Sequence, residues 1–379
     1  MNVKKAFWMF SLLAILAMIS DRITFVILPY YLLGKGIEGL NFGLVFSLAA
    51  VLVIILPRIF IGKLSDIFGR KKIYSFGLLI ESISTSIYPS LSNIYELGMN
   101  KGIKDFSDTV EDSVEDAIMA DTFKKKIRAN YIAKIGTFIP FGRAIATIIG
   151  FIIVTYFSLS FGFYVASLVV FIELIIFIII FKEPKKKFKK TFKFSIKNYP
   201  LRFKIITVIG FLIAINFGMS YYPAFFQLAV KLGISDSLLF ILLFFDYIIS
   251  SIFTWKSKDW IDKIGRTKTV VITTLGLSIF SMLYAFSSTI IQFFLVMVGI
   301  SVSFYIYRVA FKTILMDSTI TKIRGEQIGF GKTLQGLGDV IGPVLGGFLI
   351  DYVSLSSAFL FSGLFGIIAA FLAYRTNQM

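Results

Sequence analysis

One loop and its weaker copy constrain this chain more than any other feature. The run Gly62-Lys63-Leu64-Ser65-Asp66-Ile67-Phe68-Gly69-Arg70-Lys71-Lys72 interrupts two apolar segments, and Lys258-Asp259-Trp260-Ile261-Asp262-Lys263-Ile264-Gly265-Arg266-Thr267-Lys268 repeats its plan. Asp66 matches Asp262, Gly69 matches Gly265, Arg70 matches Arg266 and Lys72 matches Lys268, all 196 residues apart (262 minus 66). Four unlike residues at a single offset describe a duplicated unit, so the chain is expected to fold as two halves built on one plan.

Composition identifies the solvent. Of 379 residues, 57% are hydrophobic and 17% aromatic, and mean hydropathy is +0.84. A soluble domain is about 45–50% apolar, so this chain reads as a polytopic membrane protein. The net charge of +17 comes from short basic runs between apolar segments, which act as topology signals and give no indication of nucleic acid. With no cysteine, the chain has no disulfide framework, thiol chemistry or cysteine metal site, and no metal is expected. With no histidine either, proton coupling near neutral pH falls to Asp, Glu, Lys or Tyr.

After a basic start, Met1 to Lys5, an apolar run extends to about Leu33. It contains Asp21-Arg22 and no small-residue cleavage site, so it reads as a retained first span. Further spans are predicted at 40–61, 73–92, 94–121, 131–156, 161–181, 203–230, 237–256, 269–287, 289–316, 328–350 and 355–374, twelve in all. Lys4-Lys5, Lys63 with Arg70-Lys71-Lys72, Lys124-Lys125-Lys126, Lys182 through Lys204, Lys256 through Lys268, Lys322 with Arg324, and Arg375 share one side, against Lys35 and Lys231 on the other. That bias places both termini in the cytoplasm of a multi-pass cell-membrane protein. The expected domains are a first six-helix half over 1–182, a basic linker over 183–202 lying against anionic headgroups, and a second half over 203–379.

The loop pattern G-x-L-x-D-x-x-G-R-K-K between the second and third spans resembles the signature of the major facilitator superfamily of transporters. Lys258 replaces the opening glycine in the second copy, and Ile67 stands where the first copy would carry a basic residue that Lys263 supplies in the second. The resemblance implies an all-α integral membrane protein with twelve transmembrane helices in two pseudo-symmetric halves. It also implies transport by alternating access, without enzymatic activity or a cofactor. Asp66, Gly69 and Arg70, with Asp262, Gly265 and Arg266, are then the expected gating residues. Gly69 permits a tight turn, the basic residues hold the loop in the cytoplasm, and Asp66 can sit at a helix N-terminus where the dipole favours an anion.

The fourth span carries the most information. It holds Lys101, Lys104, Asp105, Asp108, Glu111, Asp112, Glu115 and Asp116, too many charges for a hydropathy window to accept. The repeat settles its nature, because the tenth span minus 196 falls on 93–120, with Asp121 matching Asp317 and Arg128 matching Arg324. At about 100° per residue the eight charges fall within an arc of about 140°, opposite Ile103, Phe106, Val110, Val114, Ala117 and Ile118. Lipid cannot face that arc, since a central charge costs at least about 2.5–3.5 kcal/mol. In the superfamily this chain resembles, the first, fourth, seventh and tenth helices line a central cavity, so the arc is expected to look into it.

Candidate partners are Arg22, Arg143, Arg308 and Lys312, and the offset sets Arg308 against Asp112 and Asp339 against Arg143. The interior acids Asp21, Glu81, Asp105, Asp108, Glu111, Asp112, Glu115, Asp116, Glu173, Asp246 and Asp339 outnumber the bases Arg22, Lys101, Lys104, Arg143, Arg308 and Lys312. Such an interior favours protons and cationic or polyhydroxylated ligands. Pro29 and Pro223 mark potential gate breaks, and the glycines of Gly338-Asp339-Val340-Ile341-Gly342-Pro343-Val344-Leu345-Gly346-Gly347 permit close helix contact. That run looks like the glycine-proline motif that proton-driven exporters of the superfamily carry in the fifth span, where this chain has Gly142-Arg143-Ala144-Ile145-Ala146-Thr147-Ile148-Ile149-Gly150 without the motif's proline. The sequence therefore predicts a monomeric secondary transporter, proton-coupled as a symporter or antiporter. Asp21, Arg22, Asp105, Asp108, Asp112, Arg143 and Arg308 are expected to contact substrate or proton. A uniporter, a multidrug exporter and a non-transporting sensor of the same fold are the alternatives.

Overall fold

The computed structural model describes residues 3–55, 61, 64–65, 67–123, 131, 134–183, 199–320 and 324–376, without the side chains at 52–55, 116–117, 120–121, 254–255, 258, 262 and 324–326. Asp66, the side chains of Asp116 and Asp262, and linker residues 184–198 therefore lie outside the described residues. The helices are α1 (Val3–Gly34), α2 (Gly39–Ile55), α3 (Arg70–Ile87), α4 (Ile94–Thr122), α5 (Phe138–Tyr156) and α6 (Leu159–Ile180). They continue with α7 (Leu201–Met219), α8 (Phe225–Lys231), α9 (Asp236–Ile264), α10 (Arg266–Leu283), α11 (Ile290–Asp317), α12 (Arg324–Tyr352) and α13 (Leu355–Thr376). Among the described residues nine helical segments are long and apolar enough to cross a membrane. The apolar part of α2 is shorter, Gly39–Val51, and α3 and α4 are set apart by their charges.

The duplication holds at the level of helix ends. Adding 196 to the bounds of α3 and α6 gives those of α10 and α13 to the residue. The short 3-10 turns that follow, Tyr88–Ser90 and Tyr284–Phe286, keep the same offset. Gly69 and Gly265 have φ of 97° and 91°, a left-handed conformation that a Cβ would strain. Each therefore turns the chain sharply into the next helix. Asn93 and Glu96 form a capping box at the start of α4, and Thr289 accepts from the Gln292 N–H at the start of α11.

The two prolines behave differently. Helix α1 runs through Pro29 without interruption. Between α7 and α8, Ser220–Ala224 forms a π-helical turn containing Pro223, and the Phe225 N–H donates to the Ser220 carbonyl. This wider ring accommodates a residue that has no N–H of its own to donate.

Two compact units emerge, one of residues 1–31, 55–192 and 236–244, the other of 32–54, 193–235 and 245–379. In the first, α3 packs on α4 and α6. Its core joins Phe10 and Leu13 of α1, Tyr74 and Leu78 of α3, Val110, Val114 and Ile118 of α4, and Val170 and Phe177 of α6. The apolar side of α4 therefore faces protein. In the second unit α10 packs on α11 and α13, while α7 packs on α12 and α13. A Cβ on Gly342 would lie 2.7 Å from the Gly218 Cα, and one on Gly346 would lie 2.7 Å from the Met219 carbonyl oxygen. The small-residue face of α12 thus lets the α7 backbone approach closely.

Candidate functional site

Helices α1, α3, α4, α5 and α6 assemble the charges of the first unit in two layers. The layer open to solvent contains Asp21, Asp105 and Asp108, whose side chains are 40%, 28% and 41% exposed. Asp112, one turn further along α4, is exposed as well. The Arg22 Nη2 lies 2.8 Å from Asp21 Oδ2, and its guanidinium stands over the Phe25 ring at 5.1 Å. Beyond Arg22, the basic groups acting on Asp21 are Lys104 and Arg143. Arg143 is buried on α5. Along α4, Lys101 pairs with Asp105 at 2.7 Å and Lys104 with Asp108 at 3.1 Å, both at i,i+4 spacing.

The second layer is buried behind the first. Lys104, with its side chain 6% exposed, also reaches Glu81 of α3 at 3.1 Å. Glu111 of α4 and Glu173 of α6 are buried as well. The Tyr74 hydroxyl of α3 donates to Glu173 Oε1 across 3.4 Å, a long bond. Lys104 is therefore the member common to both layers. Sequence reasoning counted Glu81, Lys104, Glu111 and Glu173 as interior charges but selected none of them, and passed over Tyr74. Period and charge place α4 residues on one arc, but they do not say which of them α3 and α6 will cover.

Of the residues selected from sequence, Asp21, Arg22, Asp105, Asp108, Asp112 and Arg143 belong to the first unit and Arg308 to the second. Arg308 and Lys312 are exposed on α11.

At the repeated loop, Arg70 is buried and its backbone N–H donates to the Glu183 carboxylate. The anion at the N-terminus of α3 is thus supplied by Glu183, just after α6, where the dipole favours it. Lys71 Nζ donates to the Ile178 carbonyl at 2.6 Å. In the second unit Arg266 is half-exposed and pairs with Asp317 at the end of α11.

The sequence profile of the Major Facilitator Superfamily matches residues 10–339 and 206–378. This chain belongs to the Major Facilitator Superfamily. It is a multi-pass membrane transporter for small molecules and not an enzyme. Among this superfamily member's relatives, an uncharacterised MFS-type transporter of Methanocaldococcus jannaschii is 24% identical over 364 residues, covering 92% of each chain. Multidrug resistance protein 2 of Bacillus subtilis is also 24% identical, over 89% of this chain and 86% of the relative. The crystal structure of the nucleoside transporter NupG superposes with a TM-score of 0.79 at 13% identity, covering 100% of both chains. At that identity the likeness to NupG concerns the fold alone.

Proposed function

We propose that this superfamily member is a secondary active transporter that moves a small polar or cationic solute by alternating access, coupled to protons. The observation that supports this reading best is the open layer of Asp21, Asp105, Asp108 and Asp112, backed by the buried Lys104. Carboxylates that water can reach attract cations and exchange protons. An ammonium behind them shifts its contact when one of them is neutralised. The basic connections orient both termini to the cytoplasm of the cell membrane. The turns at Gly69 and Gly265, with Asp66, Arg70, Asp262 and Arg266, gate the cytoplasmic side. The transporter works as a monomer. Asp112 and Arg308, set against each other by the repeat, form an ion pair in part of the cycle, and Arg22 and Arg143 balance the charge of Asp21.

Uptake into proteoliposomes, with and without an imposed pH gradient, tests this proposal across a panel of cationic and polyhydroxylated solutes. Accumulation above the equilibrium level with a gradient and none without it is expected. Equilibration that ignores the gradient indicates a uniporter, and binding without flux indicates a sensor. Either result overturns proton-coupled transport. For the ion pair, the double change Asp112→Asn with Arg308→Gln should be less harmful than the single changes imply, with a coupling of about 1–3 kcal/mol. Strict additivity removes the pair. A second reading, multidrug export, is favoured by the Bacillus subtilis relative. Efflux of lipophilic cations from cells expressing the protein distinguishes it.

A further inference from the structure

The open layer accounts for Asp21, Asp105, Asp108 and Asp112, but not for the carboxylates behind it. Glu81 and Glu173 are 7% and 2% exposed, and Glu111 is 9% exposed. Among the described residues, Lys104 brings an ammonium to this layer, with contacts divided between Glu81 and Asp108 at 3.1 Å each. Glu111 Oε1 is buried with no hydrogen-bond partner among the described residues. Among the described residues, the charges that act most strongly on Glu111 are Glu81, Glu173, Asp108 and Lys104. Those acting most strongly on Glu173 are Glu81, Glu115 and Asp108, with the Tyr74 hydroxyl as its donor. Two carboxylates that face mostly like charges away from water cannot both be ionised. Among the described residues no group of three or more carboxylates is placed to hold a metal ion.

The second half shows that the fold does not need these charges. Adding 196 converts Tyr74, Glu81, Lys104, Glu111 and Glu173 into Val270, Leu277, Ile300, Tyr307 and Ala369. All five are buried in the same helices of the duplicated unit. The first half also makes room for its acid. A Cβ on Gly77 would lie 3.1 Å from the Glu111 Cγ, whereas the corresponding position in α10 is Thr273.

We infer that Glu111 and Glu173 form a proton-binding pair inside the first half, linked to the open layer through Glu81 and Lys104. One of the two carries a proton while Lys104 is occupied by Glu81 and Asp108. A cation arriving at Asp108 competes for that carboxylate and frees Lys104 to turn inward. The ammonium then compensates an ionised Glu111–Glu173 pair, and the proton leaves through the open layer to water. One cation in is balanced by one proton out. The exchange step rests on the proposed function, whereas the resident proton does not.

Infrared spectroscopy of the purified protein in lipid nanodiscs, with carbon-13-labelled glutamate, tests the resident proton. At neutral pH the wild-type protein should show the carbonyl stretch of one protonated glutamate, shifted in deuterium oxide. The band should be lost in E111Q/E173Q and kept in E38Q, a change at an exposed loop acid. Because both amides are neutral and nearly isosteric, the double variant should melt at the wild-type temperature. Absence of the band from wild type, or its survival in the folded double variant, overturns the inference, as does stabilisation of wild type but not the double variant by sodium ions. In proteoliposomes the double variant should exchange solute yet accumulate none above equilibrium. A wild-type protein that shows the band but ignores a pH gradient supports the proton pair and overturns the proposed coupling, so the two claims fail separately.

Discussion

Helices α4 and α11 are the same element of a duplicated design, yet they solve burial in opposite ways. Both start from a side-chain cap, Asn93 or Thr289, and both pack against a helix that follows a left-handed glycine. On α11 the positions equivalent to Lys104 and Glu111 are Ile300 and Tyr307, and they are buried. On α4 those positions carry charge, and Lys104 pairs with the buried Glu81. The comparison separates architecture from chemistry. Apolar side chains suffice to pack this bundle, so the buried ions of α4 bring a desolvation cost that packing alone does not require.

The largest effect is expected at Lys104. Lys104→Met leaves Glu81 and Asp108 without their ammonium and should cost about 3–5 kcal/mol in the thermal unfolding of purified protein. Copying the second half more fully, with Glu81→Leu and Lys104→Ile together, should restore most of that loss while transport stays abolished. If the double change is as unstable as Lys104→Met, the two halves are not interchangeable in packing.

A smaller effect, equal in both halves, is expected at the turns. Gly69→Ala and Gly265→Ala each force a Cβ into positive φ, at a cost on the order of 1–3 kcal/mol. Unequal costs would mean that Glu183, beside Gly69, matters as much as the dihedral angle; a Cβ there would lie 2.9 Å from its Oε2. Third, Asp108→Asn removes a charge whose side chain is 41% exposed, so stability should move by no more than about 1 kcal/mol. Solute accumulation should nevertheless fall more than tenfold in the uptake assay. A variant that transports normally removes Asp108 from the mechanism.

The smallest effect is expected at Arg266→Gln. Arg266 and Asp317 are both about half-exposed, at 51% and 52%, and an ion pair of that kind is worth about 0–1 kcal/mol. Its loss should leave the melting temperature nearly unchanged. A large drop would show that the second-half loop is held as tightly as the first, where Arg70 is buried.

Sequence alone determined the duplicated helical plan, because four matched residues at one offset and the series of apolar runs admit little else. It also identified α4 as a helix of the bundle despite its charges, since its duplicate α11 is apolar and the offset carries that assignment across. A tight turn at Gly69, and through the repeat its copy at Gly265, was legible too, since glycine bends the chain without strain; the left-handed dihedral angles came from the structure. The tertiary structure alone decided which charges of α4 are covered. Helical period places Asp108 and Glu111 on one arc, but their surroundings depend on how α3 and α6 approach, which is set by packing between residues distant in sequence. The same holds for the anion at the N-terminus of α3. Glu183 takes that place because the end of α6 comes back beside the start of α3, a proximity that no local pattern encodes.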